Sequence, residues 1–136
     1  MSVHALRCHG EDLAVGKVAD DVDLGAVSGP PLCATLETGT DRTAVFPYRH
    51  RDRIGTDASV EGPFRAFEVQ GPLDFSLTGV LSGLLDPLAR AEISVFTLST
   101  FDTDWILVPS TSRDPAVAAL RSAGHTVVSV SSEESS

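Results

Sequence analysis

The run Ser99-Thr100-Phe101-Asp102-Thr103-Asp104 places two carboxylates at i and i+2, with hydroxyls around one aromatic residue. On a strand, side chains two apart point to one side. Asp102 and Asp104 are therefore candidates for a metal pair or a general acid–base pair. No His or Cys accompanies them in the run. Turn chemistry accounts for Asp102, because an Asp carboxylate readily bonds nearby backbone. A turn role, or contact with a ligand ammonium group, is favoured over metal binding and over catalysis. Ser99 as a nucleophile would need an adjacent base and an oxyanion site. His125 follows a candidate helix and reads as a capping or surface residue. His4, His9 and His50 lack metal-ligand spacing. The glycines around Asp74 form neither GxGxxG nor a P-loop. The residues thus argue for a protein that is not an enzyme, with no cofactor and no metal.

Charge narrows the partners. The 136 residues carry 10 Lys and Arg against 19 Asp and Glu, a net charge of -9. Nucleic acid is excluded as an expected partner, because phosphate binding needs cations that displace counterions. The one basic run, Arg49-His50-Arg51-Asp52-Arg53, reads as a solvated loop or short helix face, with a local anion site as its rival. Cys8 and Cys33 form no CxxC pair and read as buried free thiols. The start Met-Ser-Val-His has no basic-then-apolar signal, and no apolar run approaches a membrane span. A cytoplasmic location without membrane contact is expected by elimination.

The elements that must position the Ser99–Asp104 run come next. Arg65–Gln70 alternates with period two, as a half-buried strand does, and Gly71-Pro72 breaks it. Ser76 is a candidate helix cap. Beyond it Leu77, Val80, Leu81, Leu84, Leu85 and Leu88 form one apolar stripe. Gly79 and Gly83 suggest close approach on that helix, and Pro87 predicts a bend, since it should clash with the Gly83 carbonyl. Ile93–Ser99 and Thr103–Val108 read as strands of an antiparallel hairpin. Asp114-Pro115 opens a second helix, which Gly124 stops, and Thr126–Val130 is a last strand. The Ser and Glu of residues 131–136 point to a disordered tail. The order βαββαβ is that of a ferredoxin-like α+β unit, an antiparallel sheet with helices on one face. In the first half, Val3–Cys8, Leu13–Val18, Leu32–Glu37 and Thr43–Phe46 read as strands, Asp20–Val27 as a short helix, and Gly55–Pro63 as a linker. Phe96 and Leu98 alternate with Val95 and Thr97, so both sheet faces should be apolar. The face away from the helices then needs a neighbouring module or a second subunit.

Three segments together resemble a known family: Val69–Leu81, Ile93–Phe96 with Ser99–Val108, and Ala118–His125. They are similar to bacterial two-module ACT proteins, related to the aspartate-kinase regulatory domain and to cytosolic arginine sensors. The resemblance implies tandem ACT modules of ferredoxin-like βαββαβ fold. These are a degenerate N-terminal ACT-like module over 1–60 and a C-terminal ACT module over 61–130. It also implies an allosteric, non-catalytic ligand sensor that binds a small molecule, an amino acid, at the interface between modules and forms a homodimer. The rival is a ligand-free scaffold that uses the ACT fold for dimerisation or protein interaction.

By the same resemblance, the ligand contacts are Asp74, Phe75, Ser76, Leu77, Thr78 and Gly79 before the first helix, and Thr100, Phe101 and Asp104 on the hairpin. Where the arginine sensors carry an acidic residue, this chain has Leu77. The physical chemistry agrees with that placement: free N–H groups at a helix N-terminus suit a carboxylate. Asp74 or Asp104 would balance an ammonium group.

Overall fold

A computed structural model describes residues 3–54, 59–71 and 79–130. The expected tail over 131–136 lies outside them. Ten regular elements follow one another: β1 (Ala5–His9), β2 (Leu13–Lys17), β3 (Ala34–Glu37), β4 (Arg42–Pro47), β5 (Ser59–Val69), α1 (Val80–Arg90), β6 (Phe96–Ser99), β7 (Asp104–Pro109), α2 (Arg113–Ser122) and β8 (Thr126–Val130). Short 3-10 turns lie at Leu24–Ala26, Tyr48–Arg53 and Ser110–Ser112. Asp20–Val27 therefore forms one 3-10 turn, not a helix. The expected linker ends early, because Ser59–Pro63 is already strand.

Among the described residues the sheet has eight strands. β5 is its spine. Its first half pairs with β2, from Lys17↔Ser59 to Leu13↔Phe64. Its second half lies between β1, paired Leu6↔Val69, and β7, paired Phe64↔Pro109 to Glu68↔Trp105. The strand crosses the expected module boundary at residue 60. The order β3-β4-β2-β5 is that of one βαββαβ unit with 3-10 turns in place of helices. The strands β6, β7, β5 and β8 belong to a second such unit, with α1 and α2 as its helices. One departure marks it: β1 inserts between β5 and β8, and β1 and β8 run parallel. The sheet is thus mixed, since inserting a strand there gives β8 a new neighbour of the same direction.

Both helices form as their apolar spacing requires. Leu84 and Leu88 of α1, with Ala116, Val117 and Leu120 of α2, cover Leu6, Phe67, Val69, Ile106 and Val108 of the sheet. Leu81 and Leu85 pack at the margin. α1 is continuous through Pro87. Gly124, at φ 97, follows α2 as its stop. The other sheet face carries Ala66, Trp105 and Leu107, joined by Phe64, Phe96 and Leu98. It packs into one cluster with Leu13, Val45, Val15 and Ala34 of the first-half strands. A neighbouring part of the same chain thereby meets the face that the helices leave. A third cluster, Ala14, Ala44 and Phe46 with Val18, Val27 and Ile54, is closed by the two segments carrying the early 3-10 turns.

Candidate functional site

β6 and β7 form the expected hairpin, with Ser99 directly opposite Asp104. The Thr100 N–H donates to the Thr103 carbonyl at 2.8 Å. The Thr100 hydroxyl donates to that carbonyl and accepts from the Thr103 N–H, both at 3.2 Å. The Ser99 hydroxyl donates to Asp104 Oδ1 at 2.5 Å. The polar groups of Thr100 and Asp104 therefore serve the turn itself. Phe101 stands at the tip, 82% exposed. Thr103 anchors the hairpin elsewhere, since its hydroxyl donates to the carbonyl of Val69, the last residue of β5. The hairpin is thus fastened to the strand end from which the chain leads towards α1.

Of the residues expected before α1, Asp74, Phe75, Ser76, Leu77 and Thr78 lie outside the described residues. Gly79 is described. It precedes the helix with φ 79 and supplies no side-chain cap. Its carbonyl accepts from the Gly83 N–H at 3.1 Å and from the Ser82 hydroxyl at 3.2 Å. Among the described residues no side chain caps this eleven-residue helix, whose first-turn N–H groups have no partner within the helix itself.

Sequence reasoning missed a buried polar group on the sheet face away from the helices. His9, 3% exposed, donates from Nε2 to Glu68 Oε1 at 2.9 Å and stacks on Trp105 with ring centroids 5.3 Å apart. The signal was Glu68 itself. It alternates with Phe67 and Val69, and a carboxylate entering a packed face needs a partner. A second unforeseen group ties the halves together. Asp12 Oδ1 accepts from Arg65 Nε at 2.6 Å and from the Ser110 hydroxyl at 2.7 Å.

The basic run is, as expected, a largely exposed short helical turn, Tyr48–Arg53, and its side chains also reach nearby carbonyls. His50 donates from Nδ1 to the Val27 carbonyl at 2.9 Å, and Arg53 donates to the Ala26 carbonyl at 3.0 Å. Arg51 bonds the Tyr48 carbonyl at 3.0 Å and lies over its ring, and Arg49 pairs with Glu11. Arg42 does the same work, with Nη1 to the Asp20 carbonyl at 2.9 Å and Nη2 to the Val22 carbonyl at 2.6 Å.

The thiols differ from expectation at one position: Cys8 is buried but Cys33 is exposed. Burial pushes the Cys8 thiol above its ordinary 9.0, against the lowering pull of the Arg113 guanidinium. His125 is buried, and both its ring nitrogens are bonded. Among the described residues, no three His, Cys, Asp or Glu side chains converge on a metal position. No helix among them is long and apolar enough to cross a membrane.

Residues 59–122, from the start of β5 to the end of α2, match the family model of the ACT domain. No curated protein matches the chain. Solved structures do. A protein from Agrobacterium tumefaciens is 26% identical, with 96% of each chain covered and a TM-score of 0.81. A protein of unknown function from Vibrio cholerae, described as a possible transport protein, is 18% identical over 88% of each chain, with a TM-score of 0.70. The regulatory subunit of aspartate kinase from Thermus flavus is 11% identical, with 90% of this chain and 99% of that chain covered and a TM-score of 0.64.

Proposed function

We propose, from the premise that this chain carries an ACT domain over residues 59–122 and shares the fold of aspartate-kinase regulatory subunits, that it is a regulatory module binding a small molecule, an amino acid, between two ACT-like units. The units share β5. The first comprises β2 to β5, and the second comprises β5 to β8 with β1 added. The ligand carboxylate meets the N-terminus of α1 and the residues 74–79 before it, and the hairpin Thr100–Asp104 borders the site. The observation that carries this reading is the Thr103–Val69 bond. It fastens the hairpin to the strand end that leads into the segment before α1. Binding acts by population shift, favouring one arrangement of the units over another.

Calorimetric titration of the full chain with each common amino acid tests the reading. One of them is expected to bind below millimolar concentration and to raise the melting temperature as its concentration rises. Gly79→Ala, which strains the positive φ before α1, should weaken that binding. Absence of binding by all of them at about 10 mM, a concentration at which even a Kd near 1 mM gives over 90% occupancy, overturns it.

A second reading has an observation of its own. Thr100 and Asp104 spend their polar groups within the hairpin, and Phe101 is 82% exposed at its tip. A tip of that kind suits a protein contact in a homodimer or scaffold. Sedimentation of the wild type against Phe101→Ser separates the two: a dimer lost on substitution, without amino-acid binding in the parent, favours the scaffold.

A further inference from the structure

Pro87 lies inside α1 and has no N–H, so the carbonyl four residues earlier, that of Gly83, loses its helical donor. The structure supplies another. His125 Nε2 lies 3.0 Å from the Gly83 oxygen. The opposite ring nitrogen, Nδ1, accepts from the backbone N–H of His4 at 3.0 Å. His125 is 4% exposed, and its ring stacks on the His4 ring with centroids 5.9 Å apart. The His4 carbonyl in turn accepts from the Thr126 N–H at 3.0 Å. One side chain, on the residue before β8, therefore bonds the helix and the approach to β1, and a backbone bond joins that approach to β8.

We infer that His125 is the surrogate donor for the N–H that Pro87 lacks, and that it pins α1 to the β1–β8 edge of the sheet. A carbonyl oxygen acts as acceptor alone, so the proton sits on Nε2. The His4 amide acts as donor alone, so Nδ1 is bare. The neutral Nε2–H tautomer is the one that fits. The geometry also explains how a proline persists within an unbroken helix: the orphaned carbonyl is satisfied from outside. This device stands apart from the ligand reading and survives its failure.

A thermal cycle on the full chain tests it, using the parent, His125→Asn, Pro87→Ala and the double variant. Asn keeps an acceptor near the position of Nδ1 but is too short to reach Gly83. In the parent background His125→Asn should lower the melting temperature by about 5–10 °C. In the Pro87→Ala background residue 87 regains its N–H and bonds Gly83 itself, so the loss should shrink by about 3 °C or more. Folding of His125→Asn restored by Pro87→Ala would support the inference equally. Equal losses in both backgrounds, or no folding in either, overturn it. Long-range proton–nitrogen NMR of the parent gives an independent readout: a proton on Nε2 is expected, and a proton on Nδ1 overturns the assignment.

Discussion

The unit built on β2, β3 and β4 and the unit built on β6, β7 and β8 solve one problem by different means. Each has a sheet face to cover and backbone carbonyls in the covering segments to satisfy. In the second unit α1 and α2 do both, since a helix bonds its own carbonyls. In the first, irregular segments with 3-10 turns cover Ala14, Ala44 and Phe46. Their carbonyls at Asp20, Val22, Ala26 and Val27 are met by Arg42, Arg53 and His50. Arginine and histidine side chains there replace helical hydrogen bonds. The second unit uses the same device where Pro87 frees the Gly83 carbonyl and His125 meets it. A βαββαβ strand order thus survives loss of its helices when long donors are available to the backbone.

The comparison breaks or sharpens first at the two cores. Phe46 and Phe67 are fully buried, one in each. Phe46→Ala and Phe67→Ala should each cost about 3–5 kcal/mol in urea unfolding. Because β5 belongs to both units, Trp105 fluorescence and far-ultraviolet circular dichroism should report one transition in both variants. Two separated transitions in Phe46→Ala would show that the units unfold independently.

The carbonyl clamp comes next. Arg42→Met should cost about 2–4 kcal/mol, because it leaves the Asp20 and Val22 carbonyls without their charged donor. Arg90→Met, at an exposed position in α1, should change stability by less than about 0.5 kcal/mol. Equal urea midpoints for the two variants would remove the clamp as an explanation.

Two glycines oppose each other in the same way. Gly83 was expected to admit a close neighbour, yet a Cβ there would meet nothing within 4 Å. Gly83→Ala should stabilise by about 1 kcal/mol through helix propensity. Gly62 in β5 has φ 140, and a Cβ would lie 3.0 Å from the Leu13 carbonyl oxygen and 3.2 Å from the Tyr48 ring. Gly62→Ala should lower the melting temperature, and a rise there would contradict the packing of Tyr48.

The smallest effect belongs to the thiols and to alkaline pH. The folded-state pKa of Cys8 is raised by burial, so its contribution to stability is complete below the ordinary 9.0 and is lost as pH rises through the folded value. Stability measured above pH 9.0 should fall less in Cys8→Ala than in the parent. Iodoacetamide should label exposed Cys33 in the native protein well before Cys8.

The hairpin, the two helices and the last strand were legible because their periodicity is local. Leu84 and Leu88 mark one helix face, and the β-branched residues of Thr126–Val130 mark a strand, whatever surrounds them. Site residues were less legible. Thr100 and Asp104 were chosen for their chemistry, but turn geometry determines where their hydroxyl and carboxylate point. The tie from Thr103 to Val69 spans 34 positions, and no spacing rule announces it. The basic run of residues 49–53 was legible as an exposed helical face, but the Val27 and Ala26 carbonyls that His50 and Arg53 reach were not.

By itself the sequence determined what neighbouring residues can settle among themselves: the βαββαβ order after residue 59, the apolar helix stripes, the Ser99–Asp104 turn and the excess of acid that makes nucleic acid an unexpected partner. Tertiary structure alone decided what depends on chain segments far apart. It inserted β1 beside β8, joined two units through β5, turned cations towards carbonyls and set His125 against Gly83. The reason is physical. Periodicity is a property of one segment, whereas a buried donor or acceptor takes whichever partner the whole fold brings within about 3 Å.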